Sequence, residues 1–281
     1  MGEEPDTNVI RIDGHSIEYR LEHGGENTAL ILHGGHMSAR CRFGEETFLE
    51  AGYSVLVTSR PGYGRTAVDA GPSAPEFAVR LASLCRHLGL TEVTVVGISL
   101  GARSALTLAA FYPDLVHRVI LMCPTSFRPW PEGRSRRIAY AVFAPGVQRA
   151  TWGTLHRLLR TAPEKYLPGI IENLTTLDGH DAVRRLDGDV EKITEFLICC
   201  QSGRGFLVDL RPPTDIGDYV GQPVLILATR NDGAVSFDHA EYFAATLRSA
   251  RLAEVDTPTH LLWLGEGSSH TAAVVHSFIT S

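Results

Sequence analysis

The chain lacks a basic excess. Its 281 residues carry 26 lysines and arginines against 32 aspartates and glutamates, a formal net charge of −6. Nucleic-acid binding usually shows as a basic balance or a basic stripe, so that function class is excluded. No apolar run approaches the length of a membrane span, which excludes a membrane partner. The opening MGEEPDTN is acidic and polar, without the basic-then-apolar order of a secretory signal. It begins Met-Gly, but Asp6 stands where N-myristoylation needs Ser or Thr. Internal repeats and low-complexity tracts are absent. Cysteine is sparse and odd in number: Cys41, Cys85, Cys123, Cys199 and Cys200. Such a scattered set reads as reduced thiols in a cytoplasmic protein. Cys199 and Cys200 sit in the apolar stretch EFLICCQ and read as core thiols rather than redox or metal groups.

What is present suffices for a large core. Hydrophobic residues make up 44% and charged residues 21%, an ordinary globular balance. NVIRID and HSIEYRLE flank Asp13-Gly14 and predict a β-hairpin. TALILHGG, SVLVTSR, EVTVVGIS and VHRVILMCP read as strands. Between them, helices are expected over about Ser38–Ala51, from Ala74 to about Leu88, and over LGARSALTLAAFYP. For the second of these, Ser73 and Glu76 have capping-box spacing, Phe77, Leu81, Leu84, Cys85 and Leu88 share one face, and Gly89 closes it. Strands alternating with helices predict an α/β fold, a mostly parallel central sheet covered by helices on both faces.

From Pro124 to about Gly217 that rhythm breaks into short helical patterns punctuated by prolines. It resumes with QPVLILATRND, SFDHAEYFAATLRS, ARLAEVD and a last helix over about Leu264–Ile279. The expected organisation is a core of residues 1–124 and 218–281, with 125–217 inserted as a helical cap or lid.

One stretch stands out for chemistry: Val93 to Gly101, VTVVGISLG, in which two glycines bracket Ser99 at a strand-to-helix junction. Gly97-Ile98-Ser99-Leu100-Gly101 matches the G-x-S-x-G nucleophile elbow. A serine held on so tight a turn projects its hydroxyl from the sheet edge. Side chains two residues to either side would collide there. With its strand–helix context and late helical insertion, the chain resembles the α/β-hydrolase superfamily.

That resemblance implies a Ser, acid, His order along the chain. Asp232, after the strand VLILATRND, takes the acid's place, and His260, after ARLAEVD, the base's. His270 competes with His260 but falls inside the last helix. Here Thr259 precedes the histidine, where a glycine is commoner in the superfamily. Asp238 reads as a helix-end residue, Asp256 lies too near His260 in the chain, and Asp209, Asp215 and Asp218 read as solvated. The resemblance further implies an oxyanion hole from the N–H groups of Leu100 and of Gly35 in Leu32-His33-Gly34-Gly35-His36, with His36 as the alternative donor. His33 reads as a brace for that loop; with His36 it makes no metal site, since the pattern places no third ligand nearby.

Ser59-Arg60-Pro61-Gly62-Tyr63-Gly64-Arg65-Thr66 resembles a structural loop of the same superfamily, and no lysine follows at P-loop spacing. Arg128, Arg134, Arg136 and Arg137 open the insertion and read as a solvated face, or else as a greeting for an acidic substrate or acyl carrier. Trp130, Phe143, Trp152, Tyr166 and Phe196 read as the insertion's core, with a role as walls of an apolar acyl pocket held open.

The activity implied is that of a serine hydrolase on a carboxylic ester, lactone or thioester of a small or medium substrate, working through Ser99, His260 and Asp232 without metal or cofactor. Superfamily relatives leave two alternatives open: a C–C bond hydrolase or cofactor-free haloperoxidase on the same triad, and a non-catalytic ligand receptor. A dehalogenase is disfavoured, because Ser99 stands where those relatives carry aspartate. Oligomeric state is not legible.

Overall fold

Asp13 and Gly14 both take positive φ, 48° and 85°, the two-residue turn whose twist matches a hairpin. They join β1 (Asn8–Ile12) to β2 (His15–Glu22). A computed structural model describes residues 5–131 and 133–281 of the chain. Residues 1–4, half of the opening MGEEPDTN, lie outside the described residues.

Beyond the hairpin come β3 (Asn27–Leu32), β4 (Tyr53–Thr58), β5 (Val93–Ile98), β6 (Val116–Met122), β7 (Val224–Ala228) and β8 (Ala250–Glu254). They form one sheet in the order β1-β2-β4-β3-β5-β6-β7-β8. β2 pairs antiparallel with β1 and β4, while every pairing from β4 through β8 is parallel. The central strands β4 and β5 are buried at every position because both sides are covered. Side chains alternate between two layers. Leu30, Leu32, Val95 and Leu121 pack with Phe77, Leu106 and Phe243 from α2 (Ala74–His87), α3 (Gly101–Phe111) and α10 (Asp238–Thr246). Ile31, Val96, Ile98 and Ile120 pack with Phe48 of α1 (Glu46–Glu50) and Val275 of α11 (Ser268–Ile279).

Six α-helices lie between β6 and β7 among the described residues: α4 (Gly133–Val142), α5 (Val147–Thr161), α6 (Pro163–Ile171), α7 (Gly179–Arg184), α8 (Val190–Cys199) and α9 (Gly205–Asp209). Leu159, Leu167 and Ile193 bury this insertion on the same apolar layer as α1 and α11. No described helix is long and apolar enough to cross a membrane.

α2 matches its sequence signals: the Ser73 hydroxyl accepts from the Glu76 N–H at 3.4 Å, and Gly89 takes φ 73° just past its end. Two helices are shorter than expected. In place of Ser38–Ala51 only Glu46–Glu50 is helical. Gly44 is left-handed at φ 73°, and a Cβ there would lie 2.5 Å from Cβ of Trp263. The wholly buried Glu45 carboxylate accepts from the Phe43 N–H at 2.7 Å and also pairs with Arg20, contacts made from a loop. The last helix begins at Ser268, because Gly265 and Gly267 are left-handed at φ 78° and 80°.

Asp209 corrects another expectation. It is not solvated: both its oxygens accept from Arg60, at 2.6 and 2.7 Å, and the Tyr63 hydroxyl adds a bond of 2.5 Å. This pair, a buried guanidinium on a half-buried carboxylate, ties α9 to the loop after β4. Asp215 is exposed but accepts from the Tyr242 hydroxyl at 2.6 Å, and Asp218 is exposed.

Candidate active site

Ser99 follows the last residue of β5 and holds φ at 52°, a conformation that costs a non-glycine residue energy and persists only where the surroundings enforce it. The enforcement comes from the sheet. The Ser99 N–H donates to the Met122 carbonyl at 2.9 Å, and the Ser99 carbonyl accepts from Ala102 and Thr125 at 3.1 and 3.0 Å. The flanking glycines are steric requirements. A Cβ on Gly97 would stand 2.6 Å from Cα of Ala102, and one on Gly101 would stand 2.0 Å from the Leu32 carbonyl oxygen. α3 therefore starts pressed against β3, with its free N–H end beside the hydroxyl.

Asp232 lies in the loop after β7. Its Oδ1 accepts from the N–H groups of Ala234 and Val235, each at 2.8 Å. Its Oδ2 lies 2.6 Å from Nδ1 of His260. Both side chains are buried. With the carboxylate as acceptor, Nδ1 carries the proton and Nε2 is left as the basic nitrogen. Thr259, where a glycine is commoner, is buried, and its hydroxyl accepts from the Leu261 N–H at 3.1 Å.

The inserted segment Leu174-Thr175-Thr176, between α6 and α7, holds this pair together. The His260 N–H donates to Leu174 at 2.8 Å, the Thr176 N–H to Asn231 at 2.9 Å, and the Thr175 hydroxyl to the Pro258 carbonyl at 2.7 Å. Thr175 also bridges Asp232 in antiparallel fashion. Gly233 permits the approach, since a Cβ there would stand 2.3 Å from the Thr175 oxygen.

The Leu32–His36 loop is braced from below. His33 is fully buried; its Nε2 accepts from the Arg60 N–H at 2.9 Å, and Arg60 Nε donates to the His33 carbonyl at 2.7 Å. Burial, reinforced by the Arg60 charge, pushes His33 well below the usual histidine range, so it stays neutral. His36 takes φ 64°. Its Nδ1 meets the Ser202 hydroxyl at 2.7 Å, and its ring packs on Phe143, Trp152 and Phe206. Burial and Arg60 lower it to about 3. Among the described residues, the N–H groups of Gly35 and Leu100 donate to no backbone carbonyl.

Ser99, Leu100, Gly35, His36 and His260 line one cavity of about 850 Å³. Sequence and structure differ over its walls. Trp130, Phe143 and Trp152, read as core, line the cavity. Phe196 is core, packed on Phe43 and Trp263, and Tyr166 is half-buried away from the cavity. Of the basic cluster, Arg128 lines the cavity and lies over the Tyr242 ring at 4.7 Å. Arg136 donates to the Leu210 carbonyl at 2.6 Å, Arg137 is exposed, and the Arg134 side chain lies outside the described residues.

The rivals fall away from the pair. His270 is exposed on α11. Asp256 is largely exposed and pairs with Arg185 at 3.0 Å. Asp238, in the first turn of α10, reaches only the cavity wall.

Sequence reasoning missed three features. Cys123, at φ 42° after β6, sets its sulfur within 4.8 Å of the Asp232 and His260 ligand atoms, and burial beside that carboxylate pushes its thiol well up. His239 lines the cavity, with Nδ1 accepting from the Ser126 N–H at 3.1 Å. Leu174–Thr176 carries no motif. Only the residue type, a thiol just past β6 and an imidazole in the first turn of α10, signalled the first two, and nothing signalled the third.

Comparison with known proteins bears on this geometry. The chain is 29% identical over 281 residues to the uncharacterised hydrolase YcgS of Bacillus subtilis, covering 97% of this chain and 98% of that one. Over 126 residues it is 30% identical to a 2-hydroxy-6-oxononadienedioate/2-hydroxy-6-oxononatrienedioate hydrolase of Paraburkholderia phymatum, 41% of this chain and 44% of that enzyme. Among solved structures it resembles an alpha/beta hydrolase fold protein from Nakamurella multipartita, with a TM-score of 0.79 at 20% identity over 97% and 98% of the two chains. A family profile described as alpha/beta hydrolase fold matches residues 27–266, and the chain belongs to that family.

Proposed function

We propose that the protein is a serine hydrolase acting on a carboxylic ester, lactone or thioester of a small or medium substrate, with residues 125–217 forming a cap over the site. The observation that carries this reading is the meeting of Ser99 and His260 on one cavity, with His260 Nδ1 bonded to the Asp232 carboxylate at 2.6 Å. In the proposed reaction His260 takes the Ser99 proton as the hydroxyl oxygen attacks the acyl carbon. Asp232 fixes the imidazole and stabilises its positive charge. The N–H groups of Leu100 and Gly35 hold the oxyanion, each donor contributing on the order of a hundredfold or more in rate. His260 then protonates the leaving group, and water repeats the cycle on the acyl-enzyme.

Ser99→Ala tests the reading. Loss of the nucleophile from such a triad costs on the order of a millionfold in turnover. The variant is expected to keep its Tm, lose ester hydrolysis and lose labelling by a fluorophosphonate probe. Retained turnover overturns the role of Ser99. No labelling and no turnover in the wild-type protein favours a ligand receptor instead.

A second reading, C–C bond hydrolysis on the same triad, draws support from the likeness to the Paraburkholderia dienedioate hydrolase and from Arg128 in the cavity wall, where it suits an acidic substrate. A substrate panel separates the two. Turnover of a 2-hydroxy-6-oxo-dienoate well above that of esters, thioesters and lactones favours the C–C reaction.

A further inference from the structure

Far apart in the chain, three of the five cysteines gather in space. Cys41 lies in the loop between β3 and α1; Cys199 ends α8, and Cys200 follows it. Sγ of Cys41 and Sγ of Cys199 stand 2.7 Å apart across 158 residues of sequence. Cys41 and Cys200 are buried, whereas Cys199 is half-buried and reached from solvent. Cys200 belongs to the core, as EFLICCQ suggests, whereas Cys199 packs against the core but is only partly buried.

Both sulfurs sit on held backbone. Arg20 donates to the carbonyls of Ala39 and Cys41 at 3.1 and 3.2 Å, and the Ser59 hydroxyl accepts from the Ala39 N–H at 2.9 Å. On the other side, the Gln201 N–H donates to the His36 carbonyl at 2.6 Å, and the Ser202 hydroxyl meets the His36 ring and the Trp152 indole N–H at 2.7 and 2.8 Å. The two thiols thus face one another across the seam between the sheet-borne loop and the insertion.

We propose that Cys41 and Cys199 form a reversible dithiol–disulfide site, oxidised by a small hydroperoxide and reduced by a low-molecular-weight thiol. Burial keeps Cys41 protonated, so attack begins at the solvent-reached sulfur. Cys199 S–H reacts with the peroxide O–O bond to give Cys199 S–OH and water. Cys41 sulfur then displaces the hydroxyl, which leaves as a second water with the Cys41 proton. Two thiols lose two electrons and two protons, and hydrogen peroxide becomes two waters. Two molecules of a reducing thiol reverse the step and leave as their own disulfide. The bond staples α8 to the loop that follows His36. It is independent of the reaction assigned to Ser99.

The test uses the full-length protein. It is treated with hydrogen peroxide, quenched with N-ethylmaleimide and mapped by peptide mass spectrometry, with dithiothreitol as the reversal. The expected product links the Cys41 and Cys199 peptides within one chain, leaves Cys85 and Cys123 alkylatable, and disappears on reduction. Oxidation is expected to raise Tm by on the order of 5 °C, since it closes a long loop. Cys199→Ser is expected to lose both link and rise; Cys200→Ser is expected to keep both. Five alkylatable thiols after treatment overturn the proposal. So do a Cys199–Cys200 or Cys41–Cys200 bond, a link between two chains, or an equal Tm rise in Cys199→Ser.

Discussion

The two halves of the candidate site are held by different parts of the molecule. Ser99 is fixed by the sheet, by α3 and by the chain just past β6, through Met122, Ala102, Thr125 and the contact of Gly101 with β3. Asp232 and His260 sit at the ends of sheet connections as well, yet their mutual placement runs through Leu174–Thr176 of the insertion. A nucleophile on the sheet and a base stitched to the insertion respond differently to the same insult. Damage to the first should appear as lost folding; damage to the second, as lost activity in a folded protein.

Paired glycine substitutions break or sharpen that contrast. In Gly101→Ala the new methyl meets a strand carbonyl at 2.0 Å, and neither β3 nor α3 can retreat within a close-packed core. The expected cost is about 3 kcal/mol of stability, with activity lost beyond a hundredfold, read by urea unfolding and ester turnover. In Gly233→Ala the methyl meets Thr175 at 2.3 Å, in a connecting segment that can shift. Turnover is expected to fall about 10- to 100-fold, because small misplacements of catalytic groups are costly, with less than half the stability loss of Gly101→Ala. Equal losses of stability in the two variants would mean that sheet and insertion unfold as one rigid unit.

Thr175→Val is gentler. It keeps the shape but removes the bond to the Pro258 carbonyl and the one accepted from the Leu177 N–H at 3.1 Å. Each is worth about 1 kcal/mol. Turnover is expected to fall about fivefold, with KM little changed. An unaltered kcat would remove Thr175 from the support of His260.

The contrast also explains what the sequence discloses. The α2 helix and the elbow are written in local spacing: a Ser73–Glu76 cap, a Phe77–Leu81–Leu84 face, glycines two residues either side of Ser99. The acid and base follow from strand ends and chain order, which resemblance supplies. What stays hidden is non-local. The loop before α1 has enough helix-forming residues, but Arg20, far upstream, claims Glu45 and the backbone around Cys41. Asp209 looks solvated until Arg60 and Tyr63 arrive from the loop after β4. Trp130, Phe143 and Trp152 have no period that tells a cavity wall from a core, and Leu174–Thr176 acts through main-chain groups that any residue carries.

The smallest expected effect concerns acid. His33 and His36 belong to the sheet-borne loop, and His36 is also where Phe143, Trp152, Phe206 and Ser202 of the insertion come to rest. His33 is buried and His36 half-buried against these rings, and both are held neutral, His36 down to about 3. An unfolded histidine takes its proton near pH 6.5. Above that pH neither state is charged at these positions, and the stability is present in full. Below it the unfolded chain binds protons that the native chain refuses until about pH 3 at His36, so stability falls as the solution is acidified through that window. His117 and His156, also lowered by burial, add to the same slope. Glu18, a carboxylate lowered by its Arg65, Ser59 and Thr7 bonds despite burial, acts in a more acidic window and not between pH 6.5 and 5.5. Tm is therefore expected to drop by a few degrees from pH 7.5 to 5.5, and by less in His36→Gln. A drop that His36→Gln leaves unchanged would assign the acid sensitivity to the other histidines, and the seam between loop and insertion would then not be where protonation acts.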